Sequence, residues 1–428
     1  MRPRCATPGF SPADMPPLVC LITPGHLSST PRLLKEADAL AAAGYRVHVV
    51  SGRHYEPVDH LDEPISRAAP WGLTRVDYRG GPGTLWRKAL RRGLRQLRRA
   101  GLPLSPALAA RVLHAESLRL GAAAAGVPAD LYLGHCLAAL PAAARAAQAR
   151  GVPYGFDLED FHDAETESAL ADPVDRGAIR QLQQHYLPGC RHLTAAAPLI
   201  AAGYRKLYGV EPAVVLNVFP RAHAPLVPVA APGAAAGPLR FYWFSQTVGP
   251  GRGLEQILAA MGRMRHPVEL HLRGFVAPDY VARLQSHAAA CGVKLPVRFL
   301  GPGPAAEMAR LAAGADLGLA IETPPPLNRD LCLTNKVFVY LLAGIPQLLS
   351  HTAAQAQLAP ELGEAGLLAR LDDPDGTAAK LDEFFADPGR VARARQAAFA
   401  LAREKFCWDV EKEKFLALVS RVVGPAAR

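Results

Sequence analysis

Short apolar runs alternate with Ala-rich segments of helical period through the first half of the chain. "PLVCLIT" reads as a strand, and "TPRLLKEADALAAAGY" as a helix with Thr30 as N-cap, Pro31 at its first position and Gly44 at its end. "RVHVVSG", "ADLYLGH", "VPYGFDLED" and "RHLTAA" continue the series as strands that end in polar clusters. The pattern then breaks at "PRAHAPLVPVAAPGAAAGP", whose Pro, Ala and Gly carry no usable period and read as a linker. A second series follows: "LRFYWFS", "VELHLRG", "VRFLG", "ADLGLAIE", "IPQLLS" and "GLLARL", with helical segments between. A charged helical stretch from Pro388 to Val423, interrupted near Phe406, Cys407 and Trp408, closes the chain. Strands alternating with helices predict parallel sheets covered by helices, here as two doubly wound α/β domains.

Length agrees, because 428 residues exceed what one core holds. The expected division is an extension over 1–14, a first Rossmann-like domain over 15–220, a linker over 221–238, a second domain over 239–400 and a terminal helix over 401–428. Residues 1–14 read as disordered, with Met15 an equally sensible start. No apolar run reaches the ~18–20 residues that cross a bilayer, and the opening lacks the apolar core of a signal peptide. Seven scattered cysteines without a CxxC pair fit thiols in a reducing cytoplasm and supply no zinc site.

Charge adds a partner class. The formal net charge is +10, and much of the excess lies in "LWRKALRRGLRQLRRAGL". There Trp86, Leu90, Leu94 and Leu97 recur at helical spacing, while Arg87, Lys88, Arg91, Arg92, Arg95, Arg98 and Arg99 cover the other face. Such a helix either lies on an anionic membrane or packs its Leu stripe on its own domain. Nothing accompanies it that would stack bases or read a groove, so nucleic acid is excluded as a partner.

Three places carry candidate chemistry. In "FSQTVGPGRGLEQI", Gly249, Gly251 and Gly253 let the backbone approach an anion at a helix start, and Arg252 adds a cation. In "LTNKVFVYLLAGIP", Lys336 stands near a helix start that Thr334 or Asn335 can cap. A Lys there opposes the macrodipole, unless an anion joins it. In the first domain His26 follows strand one, His135 ends "DLYLGH", and Asp157, Glu159, Asp160 and His162 crowd the end of "GFDLEDFHD". These groups suit hydroxyl recognition and proton transfer.

From Pro17 to about Val423 these pieces resemble the GT-B fold glycosyltransferases, closest to the family 4 group that uses nucleoside diphosphate sugars. The resemblance rests on "ITPGHLSSTPRLLKEADALAAAGYRVHVV", "LNVFP", "GRGLEQILAAM", "LTNKVFVYLLAGIP" and "REKFCWDVEKEKFLALV" in this order. It implies two Rossmann-like domains facing across a cleft, with the C-terminal helix crossing back to the first. It places Arg252 at the donor phosphates, Lys336 at the basic position by the donor site and Gly25 where the first loop approaches the phosphates; the turn and strand-end residues His26, Gln246, Gly249, Gly251, Gly253 and Asn335 complete the candidate donor-binding set. Gly301 falls where the backbone reads the base and His135 next to the transferred sugar; with the strand-end carboxylates Asp157, Glu159 and Asp160 read above, His135 makes the candidate catalytic set. It further implies retention of configuration, no bound metal and no bound cofactor, consistent with the lack of a prominent DxD-type signature. Two positions depart from the family: Val339 stands where it has a ribose-binding Glu, and the neutral Gln246 where it often has a second cation. Glu322, Asn328 and Asp330 are candidate substitutes for the missing acceptor.

The expectation is a cytoplasmic glycosyltransferase, peripheral at the membrane through residues 87–99. It acts on a lipid-linked or saccharide acceptor in bacterial polysaccharide or glycolipid assembly. The alternatives are a GT-B nucleotide-sugar epimerase and a non-catalytic scaffold.

Overall fold

The computed structural model describes residues 15–80, 83–167, 171–226 and 237–426. The expected extension over 1–14 and the middle of the expected linker, 227–236, lie outside the described residues.

Among the described residues thirteen strands form two sheets. The first contains β1 (Leu18–Thr23), β2 (Arg46–Arg53), β3 (Gly72–Asp77), β4 (Leu131–His135), β5 (Tyr154–Leu158), β6 (His192–Ala195) and β7 (Ala213–Val214), in the order β3-β2-β1-β4-β5-β6-β7. The second contains β8 (Leu239–Val248), β9 (Val268–Val276), β10 (Arg298–Phe299), β11 (Leu317–Ala320), β12 (Gln347–Ser350) and β13 (Gly366–Ala369), in the order β10-β9-β8-β11-β12-β13. Every pairing is parallel. In each sheet the order reverses beside its first strand, between β1 and β4 and between β8 and β11. Ligands in open α/β sheets bind beyond the carboxyl ends at such points. Each strand named from the sequence is present, whereas β3 and β7 gave no signal. β3 is a partly exposed edge of mixed polarity, and β7 has only two residues.

The helix Pro31–Ala42 starts as expected, but Thr30 does not cap it. Its hydroxyl donates backwards, to the His26 and Leu27 carbonyls at 3.2 and 3.3 Å. The helix Asn335–Ala343 packs on β11 at Gly318, where a Cβ would collide with the Tyr340 ring. The Tyr340 hydroxyl then donates to the Tyr242 and Leu319 carbonyls at 3.0 and 3.3 Å. A side-chain-free strand position and a tyrosine therefore fix how closely the helix carrying Lys336 approaches the sheet.

The closing stretch is two helices, Pro388–Glu404 and Trp408–Val423. The first belongs with the second sheet, where buried Arg395 donates to the Ala313 and Ala315 carbonyls at 3.0 and 2.9 Å. The last helix contacts the first domain. Glu411 accepts the Leu216 N–H at 2.9 Å, Trp408 N–H donates to Phe219 at 2.9 Å, and the Phe415 ring meets His192 edge-on at 5.6 Å.

The basic helix spans Thr84–Arg99, and its predicted two faces are rearranged. Leu94 is buried and Leu90 partly so, against the helices Pro106–Leu113 and Pro173–Tyr186. Five of the seven cations turn toward the protein. Arg87 pairs with Glu116 at 2.8 Å, Arg91 donates to Val112 O at 2.8 Å, and Arg98 to Gln181 at 2.7 Å. Arg95 and Arg99 reach Asp172 at 2.6 and 3.0 Å. Trp86 and Leu97, the other members of the apolar stripe, stand 65% and 44% exposed. Leu85 is 84% exposed, and Lys88 and Arg92 share this outer surface.

Candidate functional site

On the second domain, β8 runs into the glycine turn and the helix Leu254–Met261 follows. Gly251 and Gly253 have φ of 69° and 79°, left-handed values that side chains disfavour. The Gly251 carbonyl is tied back by Thr323 Oγ1 at 3.0 Å and by the Arg329 guanidinium. No side chain caps the helix at Gly253, so its first-turn N–H groups remain for a ligand. Arg252 stands in the turn, half-buried, with Arg329 close enough that burial and the Arg252 charge together depress the Arg329 pKa. Two guanidiniums held against each other at a helix N-terminus form an electrostatic arrangement that an anion would relieve.

Lys336 does have a partner. Its Nζ donates to Glu322 at 2.6 Å, with residue exposures of 6% and 3%, and it lies 5.4 Å from the Trp243 ring centroid. The N-cap position is Thr334, yet neither Thr334 nor Asn335 caps with a side chain, and the Thr334 hydroxyl is buried without a partner. Val339 is 1% exposed in the interior of a helix buried from Lys336 to Ala343. Of the candidate substitutes, Glu322 holds Lys336, Asp330 accepts the Ala353 N–H at 2.8 Å, and Asn328 turns to the other domain. Gln246 is exposed near the end of β8, next to a register shift between Phe244 and Thr247. Gly301 has φ of 65°, and its carbonyl accepts the Gly274 N–H at 3.0 Å.

On the first domain the predicted set divides by depth. Asp157 is buried and receives Arg32 at 2.7 and 2.8 Å and Thr194 at 2.6 Å. Burial favours its neutral form, but the Arg32 guanidinium outweighs that and holds its pKa below the usual range. His135, 3% exposed, lies 3.1 Å from Glu36 and 3.7 Å from Asp157. Burial opposes its charge, yet the Glu36 and Asp157 carboxylates raise its pKa on balance. Glu36, His135 and Asp157 have donor atoms close enough to share a cation, but Arg32, 3.6 Å from Glu36, already neutralises them. His135 and Asp157 thus form a buried ion network beneath the crevice.

Glu159 and Asp160 are partly buried. Burial, with Asp157 and Asp160 against Arg32, pushes the Glu159 carboxyl up to about 7. Glu159 accepts from Asn217 Nδ2 at 2.8 Å, and Asn217 Oδ1 accepts Lys35 Nζ at 2.9 Å. Burial and the Arg32 charge bring that amine down to about 7. Asp160 is raised by burial and by Glu165. His26 has no nitrogen to spare. Its Nε2 accepts the N–H groups of His54 and Tyr55 at 3.1 and 3.0 Å, and its Nδ1 donates to Asp62 at 3.0 Å. Neither ring nitrogen is left for a donor, and Gly25, next to it, lies beside Ser29 and Thr23.

The two sides meet through Asn328, whose Nδ2 donates to Asp160 at 2.8 Å and whose Oδ1 accepts the Phe161 N–H at 2.8 Å. No protein-family model matches the chain, and no curated protein matches its sequence. Solved structures do match. HepE from Anabaena, in complex with UDP and glucose, aligns with a TM-score of 0.66 over 95% of this chain and 100% of its own, at 16% identity. Sucrose-phosphate synthase from Thermosynechococcus elongatus gives 0.65 over 95% and 98%, at 15% identity. MurG from Acinetobacter baumannii gives 0.51 over 95% and 100%, at 14% identity. The chain has the GT-B glycosyltransferase fold.

In this GT-B molecule the sequence reading missed Arg329, Arg32 and Lys35, and it named Asn328 only as a possible ribose acceptor, not as a link between the two domains. Arg32 and Lys35 looked like ordinary positions of an amphipathic helix, and only the sheet brings Asp157 and Asn217 to them. Arg329 and Asn328 lay in an irregular Pro-rich loop with no period to read. Their one signal was an Arg nine residues beyond the end of β11.

Proposed function

We propose that the protein transfers a sugar from a nucleoside diphosphate to an acceptor hydroxyl. The observation that carries this is a row of groups across the crevice: Arg329, with Arg252 in its field, bonded to the Gly251 carbonyl, then its chain neighbour Asn328 bonded to Asp160, beside Glu159. One end offers cations and N–H groups to a leaving diphosphate, as such chemistry requires. The other end offers a carboxylate tuned to neutral pH. The bond from the anomeric carbon to the phosphate oxygen breaks, the acceptor oxygen bonds to that carbon, and Glu159 takes the acceptor proton. Arg329 supplies the second cation that Gln246 lacks, while the Lys336 charge is balanced by Glu322 until an anion competes for it. HepE is known in complex with UDP-glucose, which makes UDP-sugars the first donors to try. The resemblance to family 4 supports retention of configuration and metal independence, which NMR of the first-formed anomer and an EDTA control test.

The reading includes the membrane. Leu85, Trp86 and Leu97 form an exposed apolar rim with Lys88 and Arg92 beside it, suited to an anionic lipid surface in glycolipid or polysaccharide assembly. The division into a first domain over 15–220 and a second over 239–400 is part of the same proposal, as is a cytoplasmic location.

A second reading, a non-catalytic protein of the same fold, is favoured by Val339, whose burial leaves no carboxylate there for a ribose. Thermal unfolding against UDP, GDP, ADP and TDP separates the two. A ligand at 100 times its Kd stabilises by about 2.7 kcal/mol. Transfer predicts a shift with one nucleotide that Arg252→Ala and Arg329→Ala each weaken about 10- to 100-fold in affinity. Absence of any shift supports the non-catalytic reading. Release of an epimerised sugar without acceptor supports the epimerase.

A further inference from the structure

Residues Leu327–Leu331 form a short helical turn of the second domain that packs on residues His162–Ala164 and on the helix Pro198–Tyr208 of the first. Consecutive side chains on it do different work. Arg329 holds the glycine turn through the Gly251 and Thr323 carbonyls, beside Arg252. Asn328 holds the strand end that carries the acceptor-side carboxylates. The Asn328 amide is oriented without ambiguity, because Phe161 N–H can only donate and the Asp160 carboxylate accepts. Glu159 is the next residue back along the chain, so the position of its carboxylate depends on this grip.

We infer that Asn328 is a positioning residue: it couples occupation of the cation-lined glycine turn to the placement of Glu159, with Asp160 as its clasp partner and not as a proton acceptor. The inference deepens the glycosyl-transfer reading and rests on it for the identity of the anion. The chemistry of position 328 is narrow. An Asp there would set a carboxylate against Asp160, which burial and Glu165 already press toward its neutral form. Exchanging the two, in Asn328→Asp with Asp160→Asn, keeps both bonds: one Asp oxygen accepts Phe161 N–H and the other accepts the new amide.

The test is hydrogen–deuterium exchange of the peptide 159–167, with and without UDP, in the full chain and in Asn328→Ala, Asn328→Asp and the exchanged double variant. Without ligand, Asn328→Ala is expected to speed exchange at Phe161 about tenfold, the loss of one buried hydrogen bond. Asn328→Asp is expected to do at least as much, and the double variant to return within about twofold of the wild type. In the wild type, UDP that protects residues 249–254 also slows 159–167; in Asn328→Ala it protects only 249–254. In kinetics Asn328→Ala lowers kcat while the UDP affinity stays within about threefold. Unchanged Phe161 exchange in Asn328→Ala, failure of the double variant to restore it, or UDP protection confined to 249–254 in the wild type would each overturn the coupling. If UDP protects nothing in the wild type, the donor reading fails. The ligand-free comparison still decides whether the clasp exists.

Discussion

Lys336→Ala is the substitution a donor-site reading invites, and the structure predicts that it acts first on folding. The lysine and Glu322 are 2.6 Å apart and almost wholly buried. Removing one member of such a pair leaves an uncompensated charge and costs about 3–5 kcal/mol. For a domain of this size that lowers the midpoint by about 6–20 °C. Replacing both members by apolar residues of similar size, Lys336→Met with Glu322→Leu, is expected to recover the stability to within about 1 kcal/mol, because it removes the desolvation cost together with the attraction. The double variant then isolates the ligand role. With the fold restored, its response to the nucleotide that shifts the wild type falls by about 10- to 100-fold in affinity, the effect of losing a charged hydrogen bond. Thermal unfolding by circular dichroism, with and without nucleotide, reads both effects. A Lys336→Ala protein as stable as the wild type would refute the ion-pair argument. A double variant that binds nucleotide like the wild type would show that Lys336 only holds the helix in place.

Other expectations follow from the same packing and charges. Glu159, held at about 7 against the ordinary 4.5, should give a pH–activity limb that rises through about pH 7, and Glu159→Gln should abolish it. The folded-state value is the higher one, so the folded protein binds more protons between about 4.5 and 7 and stability falls with rising pH across that window. Denaturant melts at stepped pH should show that slope flattened in Glu159→Gln. Gly318→Ala drives a methyl into the Tyr340 ring and should cost about 1–3 kcal/mol, read in the same melts. Trp86→Ser with Lys88→Glu and Arg92→Glu should abolish flotation with vesicles containing anionic lipid while leaving the melting midpoint unchanged. Wild-type protein that stays in solution removes the membrane reading.

What the sequence by itself determined is local. Continuous apolar runs, helical periods, the glycine turn before Leu254 and the stop at Gly344 depend on neighbours within a few residues. That suffices to place eleven of the thirteen strands and to propose two doubly wound domains. Gly251 and Arg252 were legible for the same reason, since a tight turn into a helix is written in adjacent letters. Tertiary structure alone decided which charges are spent and which are free. Arg32 meets Asp157 across 125 positions, and Asn328 meets Asp160 across 168. The first pairing follows from the strand order and the second from the packing of one domain on the other, neither from any spacing along the chain. Other tertiary contacts bury His26 against Asp62, hold His135 and Asp157 beside Arg32 and Glu36, and give Lys336 its partner Glu322. A buried charge must be neutralised wherever the fold puts it, and only the fold says by what.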